Sequence, residues 1–130
     1  MTSTTDLPYL DDLLLIRKAL SLIKPDFPHL ACEHSTRSIN QIIGLTETAG
    51  HYMGFHEREW HAWNYDPERD IYIDISMTQF SDKHDDISIV TPESPLLRQS
   101  TIEEERYRKH IPWLDGKIFE VVETYHRLKK

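Results

Sequence analysis

Apolar residues recur at helical spacing near the start of the chain. The pattern predicts a helix that runs to about Ile23 and is capped by Asp11 or Asp12. Pro25 and Pro28 then end it, because proline cannot continue a helix. Five apolar residues follow the helical period and are predicted to face the core: Leu14, Leu15, Ala19, Leu22 and Ile23.

A second helix is predicted to begin close to Cys32. It runs to about Ile43 and ends at Gly44, which suits a C-terminal cap. The inward side comprises Ser35, Ile39, Ile42 and Ile43. Cys32 is therefore expected in the first turn of this helix.

The middle of the chain alternates aromatic or β-branched residues with polar ones, which is typical of antiparallel strands. Four strands are predicted, at residues 47–55, 60–65, 71–75 and 86–90, with turns at residues 56–59 and 66–70. Pro67 lies where its fixed φ suits a type I turn. Residues 60–75 are therefore predicted to form a hairpin.

The last third of the chain returns to a helical pattern. Its charged stretch, residues 101–110, predicts a solvated helix face with acidic residues leading and basic residues trailing. Beyond Pro112, six residues at helical spacing are predicted to pack on the core: Trp113, Ile118, Val121, Val122, Tyr125 and Leu128. With one or two closing helices, the fold class is α+β.

Composition and charge narrow the function classes. The 130 residues, 38% of them hydrophobic, predict a single domain over residues 1–130 with a real core. The 22 acidic and 15 basic residues give a net charge of -7, so nucleic acid is not an expected partner. The longest apolar run, residues 13–16, is too short for a membrane span, and no signal-peptide features appear. We expect a cytoplasmic protein without a membrane partner, and the oligomeric state is not predicted.

The single cysteine, Cys32, excludes an intramolecular disulfide and a thiolate-rich zinc site. It is either a buried small hydrophobe or a working thiol. The N-terminus of a helix stabilises a thiolate, because free N–H groups and the positive end of the helix dipole lie there. The predicted position of Cys32 is therefore one that activates a nucleophile.

His61 and Asp74 lie on the two strands of the predicted hairpin. An imidazole can pair with a thiolate and later protonate a leaving group, and a carboxylate can fix the imidazole tautomer. In the simplest register Tyr72 pairs with Asn64, which places Asp74 opposite Ala62 and on the wrong face for His61. A bulge or a one-residue shift would bring Asp74 beside His61.

Four runs of the chain then stand in a familiar order: Cys32-Glu33-His34-Ser35-Thr36-Arg37, Gly50-His51-Tyr52-Met53-Gly54, His61-Ala62-Trp63-Asn64 and Tyr72-Ile73-Asp74-Ile75-Ser76. Over about residues 30–80 the chain resembles the core of the transglutaminase-like superfamily of papain-fold cysteine enzymes. It resembles a small bacterial-type, single-domain member. In that superfamily a Cys opens a helix, a His follows on a strand, and an Asp lies on the next strand.

The resemblance implies a papain/transglutaminase-like core, in which the Cys-bearing helix packs on a small antiparallel sheet flanked by N- and C-terminal helices. It implies Cys32 as nucleophile, His61 as general base and acid, and Asp74 as the residue that orients His61. Gln79, which follows the Asp strand, and Trp63 are the candidate substrate or oxyanion residues. The backbone N–H of Cys32 is one possible oxyanion donor.

The implied activity is that of a cysteine-dependent hydrolase or acyltransferase acting on an amide or thioester. The type is peptidase, amidase, deamidase or transamidase, the substrate is a peptide or small amide, and no cofactor is needed. The alternative is an inactive papain-like scaffold that serves as a binding or regulatory module. In that case Cys32 is a core thiol, and Asp74 is neutralised by His61 or Arg37.

A metal site is a weaker hypothesis. His51, His56 and His61 recur at intervals of five, with Glu57 and Glu59 close by. Intervals of five do not match one face of a strand, and no established ligand motif is present. We therefore expect no metal.

Overall fold

The computed structural model describes residues 2–55 and 57–130, which form three α-helices and a five-stranded antiparallel sheet. The helices are α1 (Leu10–Ile23), α2 (Cys32–Ile43) and α3 (Thr101–Lys129). The strands are β1 (Thr46–Tyr52), β2 (Glu59–Asp66), β3 (Ile71–Asp74), β4 (Ser88–Val90) and β5 (Leu97–Gln99), in the order β4-β3-β2-β1-β5. The predicted α+β class is confirmed.

α2 has the predicted bounds, and Gly44 ends it at φ 90°. The prediction for α1 was wrong in two respects. Tyr9 occupies the N-cap position, whereas Asp11 and Asp12 lie in the first turn. The buried face is formed by Leu13, Ile16, Ala19 and Leu20, while Leu14 and Leu22 are exposed.

The hairpin between β2 and β3 forms with the shifted register. Asn64 pairs with Ile73 and Tyr65 with Tyr72. The Asp66 carboxylate accepts hydrogen bonds from the backbone N–H groups of Glu68 (3.0 Å) and Arg69 (3.3 Å), which fixes the turn. Because strand faces alternate, this register puts Asp74 on the same face as His61.

The other strand predictions were less accurate. β1 ends at Tyr52 rather than at Phe55, and the predicted turn at residues 56–59 begins at His56, outside the described residues. β4 begins at Ser88, and β5, which pairs with the outer edge of β1, was not predicted.

α3 is one continuous helix with Pro112 inside it. Trp113, which was predicted to lie in the core, is 54% exposed, whereas Ile118, Val121 and Tyr125 are buried. Within the described residues, no helix combines the length and the apolar composition needed to cross a membrane.

The two faces of the sheet pack differently. One face carries Ile71 and Ile73, which join a core cluster with residues of α1 and α3. The other face carries an aromatic cluster that includes Tyr52, Trp63 and Tyr72. His61 and Asp74 lie on this second face.

Candidate functional site

Cys32 is the first residue of α2, and no side chain of the described residues caps that helix. The chain reaches it through Leu30, an exposed residue in the left-handed region at φ 53°. Non-glycine residues rarely adopt this conformation, and such strain is found preferentially at functional sites. The Cys32 thiol therefore lies at an uncapped, electropositive helix end.

Cys32 is 8% exposed and packs against Ala49 and Ala62 of the sheet and against Tyr107 and Leu114 of α3. Ala49 and Ala62 are direct partners across β1 and β2. Two small residues at this crossing leave the room that α2 needs to approach the sheet closely.

His61 is fully buried, and its Nε2–H donates a hydrogen bond to Oδ2 of Asp74, which is itself buried. An ionised carboxylate only accepts hydrogen bonds, so Nε2 carries the proton. The second ring nitrogen, Nδ1, has no well-aligned hydrogen bond within the described chain. The structure thus brings His61 and Asp74 together and leaves Nδ1 available.

Three groups determine the charge of the imidazole. Burial alone lowers the pKa of His61, but the carboxylate of Asp74 outweighs it through its charge and its hydrogen bond. The Cys32 thiol also raises the pKa of His61 through hydrogen bonding and charge. The net result is a raised pKa, so the ring favours the imidazolium form.

The other oxygen of Asp74 is held by Ser76. The backbone N–H and the hydroxyl of Ser76 both donate to Oδ1 of Asp74, at 2.8 and 3.0 Å. Gln79 donates from Nε2 to the Ser76 hydroxyl at 3.4 Å. Gln79 therefore extends the Asp74 network, and this position favours a supporting role over the predicted oxyanion role.

Trp63, the other predicted substrate residue, is 1% exposed and stacks on the His61 ring at 5.9 Å between centroids. Its position favours packing behind the imidazole over contact with a substrate.

Phe80 lies closer to His61, with an edge-on contact at 4.9 Å, and stacks on Tyr52 at 4.1 Å. Half-exposed Phe55 contacts the rings of Tyr52 and Phe80. This aromatic group is the part of the surroundings of His61 that reaches the surface.

Sequence reasoning missed Ser76 and Phe80 as site residues. The signal for Ser76 was present, since the carboxylate of an Asp often accepts the N–H two residues on. No pattern marked Phe80, whose contact with His61 depends on how the chain returns after β3.

Two residues of the metal hypothesis, His51 and His61, have other partners. His51 faces Glu103 at 3.6 Å, His61 binds Asp74, and His56 lies outside the described residues. Nowhere in residues 2–55 and 57–130 do three His, Cys, Asp or Glu side chains converge as a metal site. The alternative partner suggested for Asp74, Arg37, instead binds Glu47 and Asp115.

Comparison with known proteins finds no matching family model, no matching curated protein and no matching solved structure.

Proposed function

We propose that this protein is a cysteine-dependent hydrolase or acyltransferase that acts on an amide or thioester through Cys32, His61 and Asp74. The observation that carries the proposal is the state of the His61 ring. One ring nitrogen is bound by a buried carboxylate, the other has no well-aligned partner, and the Cys32 thiol acts on the same ring. The resemblance to the transglutaminase-like superfamily supports the same assignment.

In the first step, the Cys32 thiolate attacks the carbonyl carbon of the substrate and forms a tetrahedral intermediate. The negative oxygen faces N–H groups at the uncapped start of α2, among them that of Cys32. The C–N or C–S bond then breaks, and the leaving amine or thiol takes the proton from Nδ1 of His61. The products of this step are a free amine or thiol and an acyl-Cys32 thioester.

In the second step, water attacks the thioester carbonyl and gives a proton to His61. The C–S bond breaks and releases a carboxylic acid. An amine in place of water gives transfer of the acyl group instead of hydrolysis. Asp74 holds the ring orientation through both steps, because its two oxygens are fixed by His61 and Ser76. A thiol that must stay reduced suits the cytoplasm.

One observation favours the alternative, an inactive scaffold that acts as a binding module. Cys32 is 8% exposed and His61 is fully buried, so a substrate carbonyl reaches the sulfur only if neighbouring side chains move. Leu30 and Phe55 are exposed and do not belong to the core clusters of the described residues.

Alkylation by iodoacetamide decides between the two functions, because the chain has one cysteine and the reagent is smaller than any peptide. An ordinary thiol is less than about 1% ionised at about pH 6. We expect folded protein to react at least about tenfold faster than unfolded protein at this pH. Folded Cys32 that reacts more slowly than the unfolded thiol at every pH would leave only the binding module.

Cys32→Ser is the blank for this measurement. Glu120→Gln removes the charge of an exposed carboxylate on α3 and is the control for variants that remove a charge near Cys32. We expect its alkylation rate to equal that of the wild type.

A further inference from the structure

Asn64 lies in β2 and is 1% exposed. Asn is uncommon in strands, and burial of its amide is costly unless the amide is hydrogen-bonded. Here Nδ2 of Asn64 donates to the backbone carbonyl of Thr36 in α2 at 3.0 Å, and both residues are buried. Asn64 therefore ties α2 to the strand that carries His61.

The packing of Cys32 and the bond to Thr36 are two matched contacts between α2 and β2. Cys32 packs against Ala62. Four residues later along α2, Thr36 accepts the hydrogen bond of Asn64, which lies two residues beyond Ala62 on β2. Four helical residues advance about 6 Å, and two strand residues advance about 6.6 Å. The helix therefore runs alongside β2 in the same direction, with Cys32 level with the residue that follows His61.

The tie to α2 lies where the ladder between β2 and β3 ends. Asn64 pairs with Ile73, and from that pair toward His61 and Asp74 the described register contains no further pair of β2 with β3. The two strands are thus not held to each other by the ladder beside the proposed catalytic residues. The position of α2 there depends on its own contacts with β2.

Of the two contacts, the hydrogen bond is the one that fixes α2 along the strand. Apolar contact between Cys32 and Ala62 has no preferred direction, so it tolerates a slide or a rotation of the helix. A hydrogen bond weakens steeply when its angle changes. Arg37 binds Glu47 of β1 and Asp115 of α3, so this ion network holds α2 to other elements and not to β2.

We propose that Asn64 is a positioning residue for the proposed reaction: through Thr36 it holds the start of α2 where the Cys32 thiol meets the His61 ring. This step rests on the proposed function, because a thiol and an imidazole act as an ion pair only when they are close. Asn64 acts through the helix and takes no part in the chemical steps.

Two variants test this role, each of which removes a side-chain amide bound to a backbone carbonyl. Asn64→Leu removes the donor to Thr36, whose carbonyl keeps its partner four residues on in α2, so no buried acceptor is orphaned. Asn40→Leu is the matched control, because Nδ2 of Asn40 donates to the carbonyl of Leu45 at 2.9 Å at the far end of α2.

Neither variant changes a charge, so a change in the pKa of Cys32 has to come from geometry. The titratable side chains beside the start of α2 are the same in both variants and in the wild type: Glu33, His34, His61, Tyr107 and His110.

The readout is the rate of alkylation of folded Cys32 by iodoacetamide as a function of pH, whose midpoint is the pKa of the thiol. We expect the midpoint of Asn64→Leu to lie about one pH unit above that of the wild type, so that its rate at about pH 6 falls about tenfold. The rate at about pH 10, where an ordinary thiol is ionised, should be unchanged. Asn40→Leu should keep the wild-type midpoint.

Asn64→Ala, which brings in no larger side chain, carries the same expectation and replaces Asn64→Leu if the latter does not fold. Equal midpoints in the Asn64 variant and the wild type, with the wild-type midpoint below that of the unfolded protein, would overturn the role of Asn64 and leave the proposed function intact. An equal rise in Asn40→Leu would also overturn it. A wild-type midpoint at or above the unfolded value would instead overturn the proposed function and this role with it.

Discussion

Asp74 is the residue on which the proposed chemistry depends most closely. A buried carboxylate is costly unless its oxygens are bound, and His61 and Ser76 bind them. The backbone N–H of Ser76 can only donate, so the atom in the place of Oδ1 must be an acceptor. If Asn replaced Asp74, its side-chain oxygen would therefore face Ser76 and its NH2 group would face His61.

Asp74→Asn therefore reverses the hydrogen bond to His61. The Asn oxygen keeps the Ser76 N–H, and its NH2 group faces Nε2 of His61. Nε2 then has to accept, the ring becomes neutral with its proton on Nδ1, and the thiol loses its ion-pair partner. We expect alkylation of folded Cys32 at about pH 6 to fall by at least about tenfold. A rate equal to that of Glu120→Gln would refute the coupling.

Ser76 supports the same carboxylate, and Ser38 provides a matched comparison. Both are fully buried, but the Ser38 hydroxyl has no partner in the described chain, whereas the Ser76 hydroxyl donates to Asp74. Ser76→Ala is expected to lower the free energy of unfolding by about 1.5–3 kcal/mol, the usual cost of a bond to a charged group. Ser38→Ala should change it by less than about 0.5 kcal/mol in urea denaturation. Equal costs would contradict the distinction.

Among the helices and strands, the features predicted correctly from the sequence are those set by residues close together in the chain. The start of α2 at Cys32, its end at Gly44 and the turn after Asp66 depend on helix periodicity, on glycine at positive φ and on side-chain hydrogen bonds close in sequence. The buried face of α1 depends on what packs against it, and its leucine-rich sequence allows more than one face. β5 is only three residues long, too short for alternation to reveal it.

α3 illustrates the same limit. The sequence left open one or two closing helices on the two sides of Pro112. The structure has one helix through it, because packing against the sheet, α1 and α2 outweighs the lost hydrogen bond. Trp113 follows the helical spacing of the core residues but lies 54% exposed beside His34 and Lys117.

Glycines in α3 and β1 should respond to alanine in opposite ways. A Cβ on Gly116, inside α3, meets no atom within 4 Å, so Gly116→Ala should raise the free energy of unfolding by about 0.5–1 kcal/mol. A Cβ on Gly50 would collide with the backbone carbonyl of Arg98 on β5, so Gly50→Ala should lower it by about 1–3 kcal/mol. Thermal and urea unfolding measure both changes. Stabilisation by Gly50→Ala would contradict the pairing of β1 with β5.

At the scale of the whole molecule, the site is a consequence of strand register. A one-residue difference between β2 and β3 decides whether Asp74 faces His61 or points away from it. Sequence spacing left this choice open, because it depends on the number of residues that the turn takes up.

The buried pair makes stability depend on pH with a definite sign. The pKa of His61 is raised in the folded state to about 10, against about 6.5 in the unfolded chain. Its contribution is therefore fully present below about pH 6.5 and is lost as pH rises toward the folded value. The difference in unfolding free energy between wild type and His61→Gln should shrink above about pH 7, at up to about 1.4 kcal/mol per pH unit. A difference that grows with pH would contradict the ion pair.

The charge of Cys32 in the folded protein tests the proposed pair of Cys32 and His61 most directly. The ultraviolet absorbance of a thiolate, taken as the difference between wild type and Cys32→Ser, follows that charge from about pH 4 to about pH 10. We predict thiolate absorbance already at about pH 6, where an ordinary thiol is protonated, and its loss in Asp74→Asn. No thiolate below about pH 8 in the folded wild type would contradict the proposed ion pair of Cys32 and His61.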